Sequence, residues 1–314
     1  MNPLDPSVLW VGTCNQGIWK STDCGASYTH INTGTNGAVL DGGRQWTFVI
    51  DPNNPDILYT NSGYGAASNG AFKSTNGGVD WTQIWPPLDG SYAKVVAYDF
   101  VAQVVMDPSN PQHLLISFHA ECAAPYASAC YGESHDAGAS WKLLSGDSSW
   151  SGGEGQTLTF LNDSATWLWG SQANGVWRTT NSGASWNVVS GIAQQGHATP
   201  QMYRAKNGVF YLPEPDGIYR SPDGITWKLV PSSGSVMLGI TGNGTTMYAS
   251  RGFPWDPSTT LYEPFWTSPE DDGQTWTQMT SPQLSNGGQL TYDPAHHLLY
   301  SSNLGAGVWR VATP

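Results

Sequence analysis

Residues 74–81 read STNGGVDW, and they decide the fold because the chain repeats the same phrase six times. The other copies are STDCGASY (21–28), SHDAGASW (134–141), TTNSGASW (179–186), SPDGITW (221–227) and SPEDDGQTW (268–276). All approximate Ser-x-Asp-x-Gly-x-Ser/Thr-aromatic. Each follows a strand-like run such as GIWKS, GVWRT or GIYRS, and each opens another such as WTQI, WNVV or WKLV. The chemistry is that of a tight turn. Asp or Asn accepts backbone N–H groups, Gly takes a positive φ, and the aromatic packs between neighbouring sheets.

Working outward from the turns gives the repeat. Second strands read VLWVG, ILYTN, LLISF, WLWGS, VFYLP, MYASR and LLYSS, which makes seven. Third strands also number seven, the last being GVWRV at 307–311. First strands number six: QWTFVID, AQVVMD, QTLTFL, QMYRAK, LGITG and QLTYD. The first unit therefore lacks its first strand and the last lacks its fourth. Seven units in 314 residues average about 45 residues each, a usual repeat length.

The six turns resemble the Asp-box (BNR) repeat, and the chain resembles Asp-box propellers along its whole length. The resemblance implies four-stranded antiparallel blades with the box between the third and fourth strands. The expected fold is all-β: a seven-bladed β-propeller with Asp-box turns, forming one domain over residues 1–314.

Composition narrows the partners. The 37 Gly, 21 Pro and 16 Trp with only 11% charged residues fit many turns and aromatic-packed strands. A formal net charge of −12 argues against nucleic acid or an anionic membrane as partner, since neither gains from meeting such a surface. No run of 18 apolar residues occurs, so no helical membrane span is expected. The abrupt start MNPLDPSVLW, low Lys and high Trp point to a secreted, mature or trimmed chain acting as a monomer.

Strand alternation sorts the loops into two faces. The turns between first and second strands, DPNNPD, DPSNPQ and DPAHH, share a face with the boxes and are plain. The long insertions, 32–45, 61–70, 84–100, 117–131, 145–156, 190–200 and 251–263, fall on the opposite face, where function is expected. Lys20, Lys73, Arg178, Arg220 and Arg310 recur at one third-strand position and read as framework. Only Arg44, Lys94, Arg251, His119 and His197 among the cations and histidines remain on the elaborated face. His113, His296 and His297 read as plain-turn residues, and His135 lies within a box.

Cys122 and Cys130 lie in one loop and are expected to form a disulfide that staples it. Cys14 precedes a third strand and Cys24 follows it. Six residues at ~3.3 Å separate them by about 20 Å, against the ~7 Å a disulfide allows. With no Cys-x-x-Cys and no clustered His, no metal site is expected, although a structural calcium ion would leave no readable motif.

Three chemistries suit secreted propellers of this resemblance. Sialidase-type hydrolysis needs an arginine cluster, and the Phe/Tyr-Arg-Ile-Pro signature is absent. Carboxylate-pair hydrolysis is implied by a local resemblance to xyloglucan-hydrolase propellers in IDPNNPDILYTNSGYG. The catalytic Asp of those enzymes follows an early second strand, and here that place holds Asn61, an amide that cannot act as acid or base. β-Elimination at a uronate needs a cation at the carboxylate, a His or Tyr base and an acid at the leaving oxygen. The overall build also resembles secreted lyases acting on rhamnose–glucuronate glycans.

The reading is a secreted enzyme cleaving glycosidic bonds in a polysaccharide, with elimination set ahead of hydrolysis and a non-catalytic glycan-binding propeller as the alternative. Its substrate is a polysaccharide or oligosaccharide and it requires no cofactor. His119, Arg44, Glu154 and Tyr126 are the expected catalytic residues. Trp46, Tyr64, Tyr92, Lys94, Glu121, His197, Arg251 and Trp255 are the expected substrate contacts.

Overall fold

The computed structural model describes residues 1–64, 69–88, 90, 92, 101–149, 155–171, 175–192, 201–234, 237–252, 264–280, 287–303 and 307–314. Seven antiparallel meanders follow one another along the chain. The first holds Leu9–Gly12 (β1), Ile18–Ser21 (β2) and Thr29–His30 (β3). The second holds Phe48–Ile50 (β4), Leu58–Ser62 (β5), Gly70–Ser74 (β6) and Thr82–Trp85 (β7). The third holds Val101–Asp107 (β8), Asn110–Phe118 (β9), Cys130–Ser134 (β10) and Lys142–Ser145 (β11). The fourth holds Gly155–Phe160 (β12), Trp167–Ser171 (β13), Gly175–Thr179 (β14) and Asn187–Val188 (β15). The fifth holds Tyr203–Arg204 (β16), Phe210–Glu214 (β17), Gly217–Ser221 (β18) and Lys228–Val230 (β19). The sixth holds Met237–Gly242 (β20), Thr246–Arg251 (β21), Phe265–Pro269 (β22) and Thr277–Gln278 (β23). The seventh holds Leu290–Asp293 (β24), Leu298–Asn303 (β25) and Gly307–Ala312 (β26).

The fold is a seven-bladed β-propeller, and the strand count read from the sequence matches it sheet by sheet. The chain divides into two compact units, Met1–Asn187 and Val188–Pro314. Among the described residues no helix is long and apolar enough to cross a membrane.

In the second and fifth meanders burial peaks in the second strand, above the first strands β4 and β16. β5 and β17 are buried at every position, which is the pattern of strands covered on both faces. The fourth strands β15 and β23 are exposed at both positions. Trp81, Trp167, Trp169 and Trp227 are the largest fully buried side chains. Truncating any one of them removes an aromatic worth about 3–5 kcal/mol.

Five of the six turns are built alike. In the first, Gly25 N–H donates to Ser21 Oγ at 2.8 Å, and Ser27 N–H donates to Asp23 Oδ1 at 2.9 Å. The same pair of bonds recurs as Gly138 to Ser134 (2.9 Å) and Ser140 to Asp136 (2.8 Å). It recurs again as Gly183 to Thr179 (3.0 Å) and Ser185 to Asn181 (3.0 Å). The turn glycine takes a positive φ in every copy, from 59° at Gly273 to 101° at Gly78. The sixth turn departs from the others. Gly273 N–H bonds Pro269 O, while the acid Glu270 turns away to accept Tyr203 Oη, Lys206 N–H and Gly244 N–H.

These turns also clasp the preceding sheet. Trp10 Nε1–H of β1 donates to Gly77 O (2.9 Å), and Tyr59 Oη of β5 lies 3.4 Å from Ala137 O. Lys73 Nζ donates to the same Ala137 carbonyl at 3.1 Å while lying 5.5 Å from the centroid of the Tyr59 ring. A Cβ at Gly183 would overlap the Tyr131 hydroxyl, and one at Gly273 would overlap that of Tyr211. Lys73, one of the recurring third-strand cations, is thus part of the clasp.

The turn carboxylates make stability pH-dependent. The Ser27 hydroxyl and N–H, with the Ser21 hydroxyl, hold the Asp23 carboxyl well below its usual range. The Thr35 N–H and the Asn76 side chain lower Asp80, and the Thr226 and Ile225 N–H groups lower Asp223. A carboxyl with a lower pKa folded than unfolded stabilises the fold above its unfolded value of about 3.9 and loses that contribution as pH falls through the folded value. The melting temperature is therefore expected to decline progressively below about pH 4. Thermal melts across a pH series check this, and a midpoint unchanged down to pH ~2 would contradict it.

Two sequence readings are corrected. The 32–45 insertion, read as a loop, contains a short helix, Gly37–Asp41 (α1). His113 is not a turn residue but lies within β9, buried to 3% exposure, and its ring stacks on that of His135 with centroids 4.4 Å apart. Histidines read as scattered are therefore clustered, because the β9–β10 register brings 113 beside 134 and 135.

Candidate active site on the first unit

The elaborated face of the first three sheets is assembled by backbone pairing between loops. Arg44 N–H donates to Gly63 O (2.8 Å), and Gly63 N–H donates back to Arg44 O (3.1 Å). Arg44 also bridges Cys14 at the end of the first hairpin. Asn61, fully buried in β5, fixes the next residues. Its Oδ1 accepts Trp46 N–H (2.7 Å) and Thr47 N–H (3.1 Å), and its Nδ2 donates to Val101 O (2.7 Å). Both ends of the amide are used in holding backbone.

This framework gathers four side chains. Tyr64 follows Gly63 with φ +47°, a left-handed conformation that costs a non-glycine residue free energy and aims the ring outward. His119 follows the last residue of β9. Tyr64 Oη and His119 Nε2 lie 2.7 Å apart, with ring centroids 5.3 Å apart at 80°. The Arg44 guanidinium carbon sits 5.0 Å from the centroid of the Tyr64 ring, and the Trp46 ring meets Tyr64 edge-on at 6.1 Å. Arg44 Nε and Trp46 Nε1 are both buried donors with no hydrogen-bond partner among the described residues. Asp41, the natural carboxylate for Arg44 by sequence proximity, instead pairs with His30 Nε2 and Asn32 Nδ2, each at 2.8 Å.

Tyr126 and Tyr92 belong to a different cluster. Trp85 stacks on Tyr92 (5.6 Å, 14°), Tyr92 meets Tyr126 edge-on (6.2 Å), and all three pack with Cys122 and Cys130 in one apolar core. Those cysteines are bonded, with Cα atoms 6.0 Å apart, so the 119–130 loop is stapled onto this column. Cys14 and Cys24 do not bond each other. Glu121 is exposed on the same loop.

In the second unit, Arg251 repeats part of the Arg44 arrangement. Its N–H donates to Pro264 O (2.8 Å), its carbonyl accepts Gly287 N–H (2.9 Å), and its Nε is buried without a partner among the described residues. Glu154, Lys94, His197 and Trp255 lie outside the described residues.

Sequence reasoning placed Tyr64 among the substrate contacts, but the structure makes it the direct partner of His119. It missed the positioning role of Asn61, for which the run YTNSGYG offered a signal: a polar amide in an otherwise buried second strand.

The molecule is thus a seven-bladed propeller with a Tyr–His–Arg cluster raised on one face of its early blades. A family model described as the DUF6242 beta propeller domain matches residues 138–255, fewer than half of the chain. A xyloglucanase of Paenibacillus sp is 24% identical over 98% of this chain and 28% of its own length. A xyloglucanase of Hypocrea jecorina is 27% identical over 88% of this chain and 30% of its own. The crystal structure of the GH74 xyloglucanase from Xanthomonas campestris superposes with a TM-score of 0.65 at 16% identity, covering 99% of this chain and 50% of that one. The chain spans less than a third of the length of these curated relatives.

Proposed function

We propose that this propeller is a secreted carbohydrate-active enzyme that cleaves glycosidic bonds in a polysaccharide at the Arg44–Tyr64–His119 cluster. The observation that carries the reading is the 2.7 Å Tyr64–His119 contact beside a guanidinium whose buried Nε has no partner among the described residues. The xyloglucanase names of the two relatives support a glycan substrate. The bonded Cys122–Cys130 pair supports an oxidising, extracellular setting. The Ser, Asp and Gly bonding in the turns supports their assignment to the Asp-box type.

The cluster suits elimination at a uronate. Arg44 meets the sugar carboxylate and stabilises the enolate that forms when the C5 proton leaves. Tyr64 gives its phenolic proton to His119 Nε2 across their 2.7 Å contact, and the phenolate takes the C5 proton. The electron pair of the broken C5–H bond becomes the C4–C5 double bond, the C4–O bond breaks with its electron pair on the leaving oxygen, and that oxygen takes the proton from Tyr64, which recovers its own from His119. Trp46 offers its indole face to a sugar ring.

Hydrolysis is a second reading, favoured by the xyloglucanase names. Against the relatives' own machinery stands Asn61, whose amide is consumed by backbone. Incubation with uronate polysaccharides and with xyloglucan separates the two. Absorbance near about 235 nm marks the conjugated product of elimination. New reducing ends without that absorbance overturn elimination and favour hydrolysis. Neither signal across a glycan panel overturns the enzyme reading.

A further inference from the structure

A second cluster lies at the other end of β9, on the side of the repeated turns. His113 (β9), Glu133 (β10) and His135 converge there. His113 Nε2 is 3.0 Å from Glu133 Oε1, and His135 Nε2 is 3.3 Å from the same oxygen. The three atoms all lie within 4.8 Å of one another. Asp107 Oδ2 sits 3.1 Å from His113 Nδ1. Nothing in the Tyr–His–Arg site uses these groups.

Both His113 nitrogens face carboxylate oxygens, and His135 Nε2 faces the same Glu133 oxygen. Protons on the two rings can fill these contacts, and so can one metal ion bound to Glu133 Oε1 and both Nε2 atoms while Asp107 accepts the Nδ1 proton of His113. The two states compete, so metal uptake there releases protons. With Zn–N and Zn–O bonds near 2.0–2.1 Å, tetrahedral ligands stand about 3.3 Å apart, close to the 3.0 and 3.3 Å that separate Glu133 Oε1 from the two imidazole nitrogens. The exposed His135 ring, stacked on His113, has to turn out of the stack to aim its nitrogen at the ion. The Asp107–His113 pair is the carboxylate support that orients a metal-bound imidazole. Glu133 is 11% exposed and His113 4%, whereas His135 is 68% exposed, so the fourth coordination position opens to solvent.

We propose that His113 Nε2, Glu133 Oε1 and His135 Nε2 form a zinc site that ties β9, β10 and the third repeated turn together, independent of the glycan-cleaving reading.

The test uses the whole chain, freed of metal by chelation and dialysed against Zn²⁺, with His135→Ala as the first variant. His135 is mostly exposed, so its removal leaves the sheet intact. Glu133→Gln is the second variant. The wild type is expected to take up one more equivalent of zinc than His135→Ala, with at least tenfold tighter binding, and to gain melting temperature on zinc addition that the variant does not. Co²⁺ in place of zinc is expected to give visible absorption bands in the wild type that both variants lose. Equal zinc uptake by wild type and both variants overturns the proposal. So does a melting temperature that zinc shifts equally in wild type and His135→Ala.

Discussion

Replacing Tyr64 with phenylalanine or His119 with alanine is expected to lower kcat on the cleaved glycan by about 10²–10⁴-fold, the usual worth of a positioned proton-transfer group. The two residues act through one contact, Tyr64 Oη to His119 Nε2 at 2.7 Å, so the double variant is expected to fall little further than the worse single one. Phenylalanine keeps the ring that Arg44 and Trp46 pack against. Tyr64 is 39% exposed and His119 stands beyond the end of β9, so both variants should melt within a few degrees of the wild type. Full activity in Tyr64→Phe would remove the cluster from the chemistry. Arg44→Lys adds a sharper readout. It keeps the charge but loses the planar fork, so KM for a uronate substrate should rise. An unchanged KM would leave the carboxylate without its assigned partner.

Asn61→Ala is expected to cost about 2 kcal/mol or more in stability, because two buried backbone groups lose their partner at about 1–3 kcal/mol each and a part-buried third loses its own. Those groups are Trp46 N–H, Thr47 N–H and Val101 C=O. A urea unfolding curve reads the loss as a lower midpoint. A midpoint shift worth less than about 1 kcal/mol would mean that water or relaxation replaces the amide. Asn61→Asp is the more informative partner. It installs the carboxyl that the xyloglucan-hydrolase resemblance would place there. The new oxygen would face Val101 O without the donor that Nδ2 supplies, so the acid is expected to destabilise the fold and to confer no hydrolysis. Gain of reducing ends on xyloglucan would reverse this view of Asn61.

The fold was legible in the sequence because its information is local. Five turns write their hydrogen bonds in residues two to four positions apart, as Ser21, Asp23, Gly25 and Ser27 do. The sixth reads like the others yet bonds differently, because Glu270 finds partners near 203, 206 and 244 that no local pattern announces. The candidate site was legible only as an inventory. Arg44, Tyr64 and His119 could be assigned to one face from strand alternation. Their pairing depends on a contact across 55 positions, and on a left-handed Tyr64 that no turn signature predicts. The same limit hid the stacking of His113 and His135, which follows from one strand register.

The clasp between four of the turns and the sheet before each has a consequence for how such a chain can change. Trp10 on Gly77, Tyr59 and Lys73 on Ala137 and Tyr131 on Gly183 anchor three seams of the first unit, and Tyr211 on Gly273 anchors one of the second. Substitutions there strike two blades together and should be rejected by selection. The opposite rim is tied by backbone bonds at Arg44–Gly63 and Arg251–Gly287, so the stretches there that can be lengthened, exchanged or recoded one at a time are those outside these pairs. A lineage built on this scaffold can therefore move between substrates by replacing surface segments while inheriting its framework unchanged.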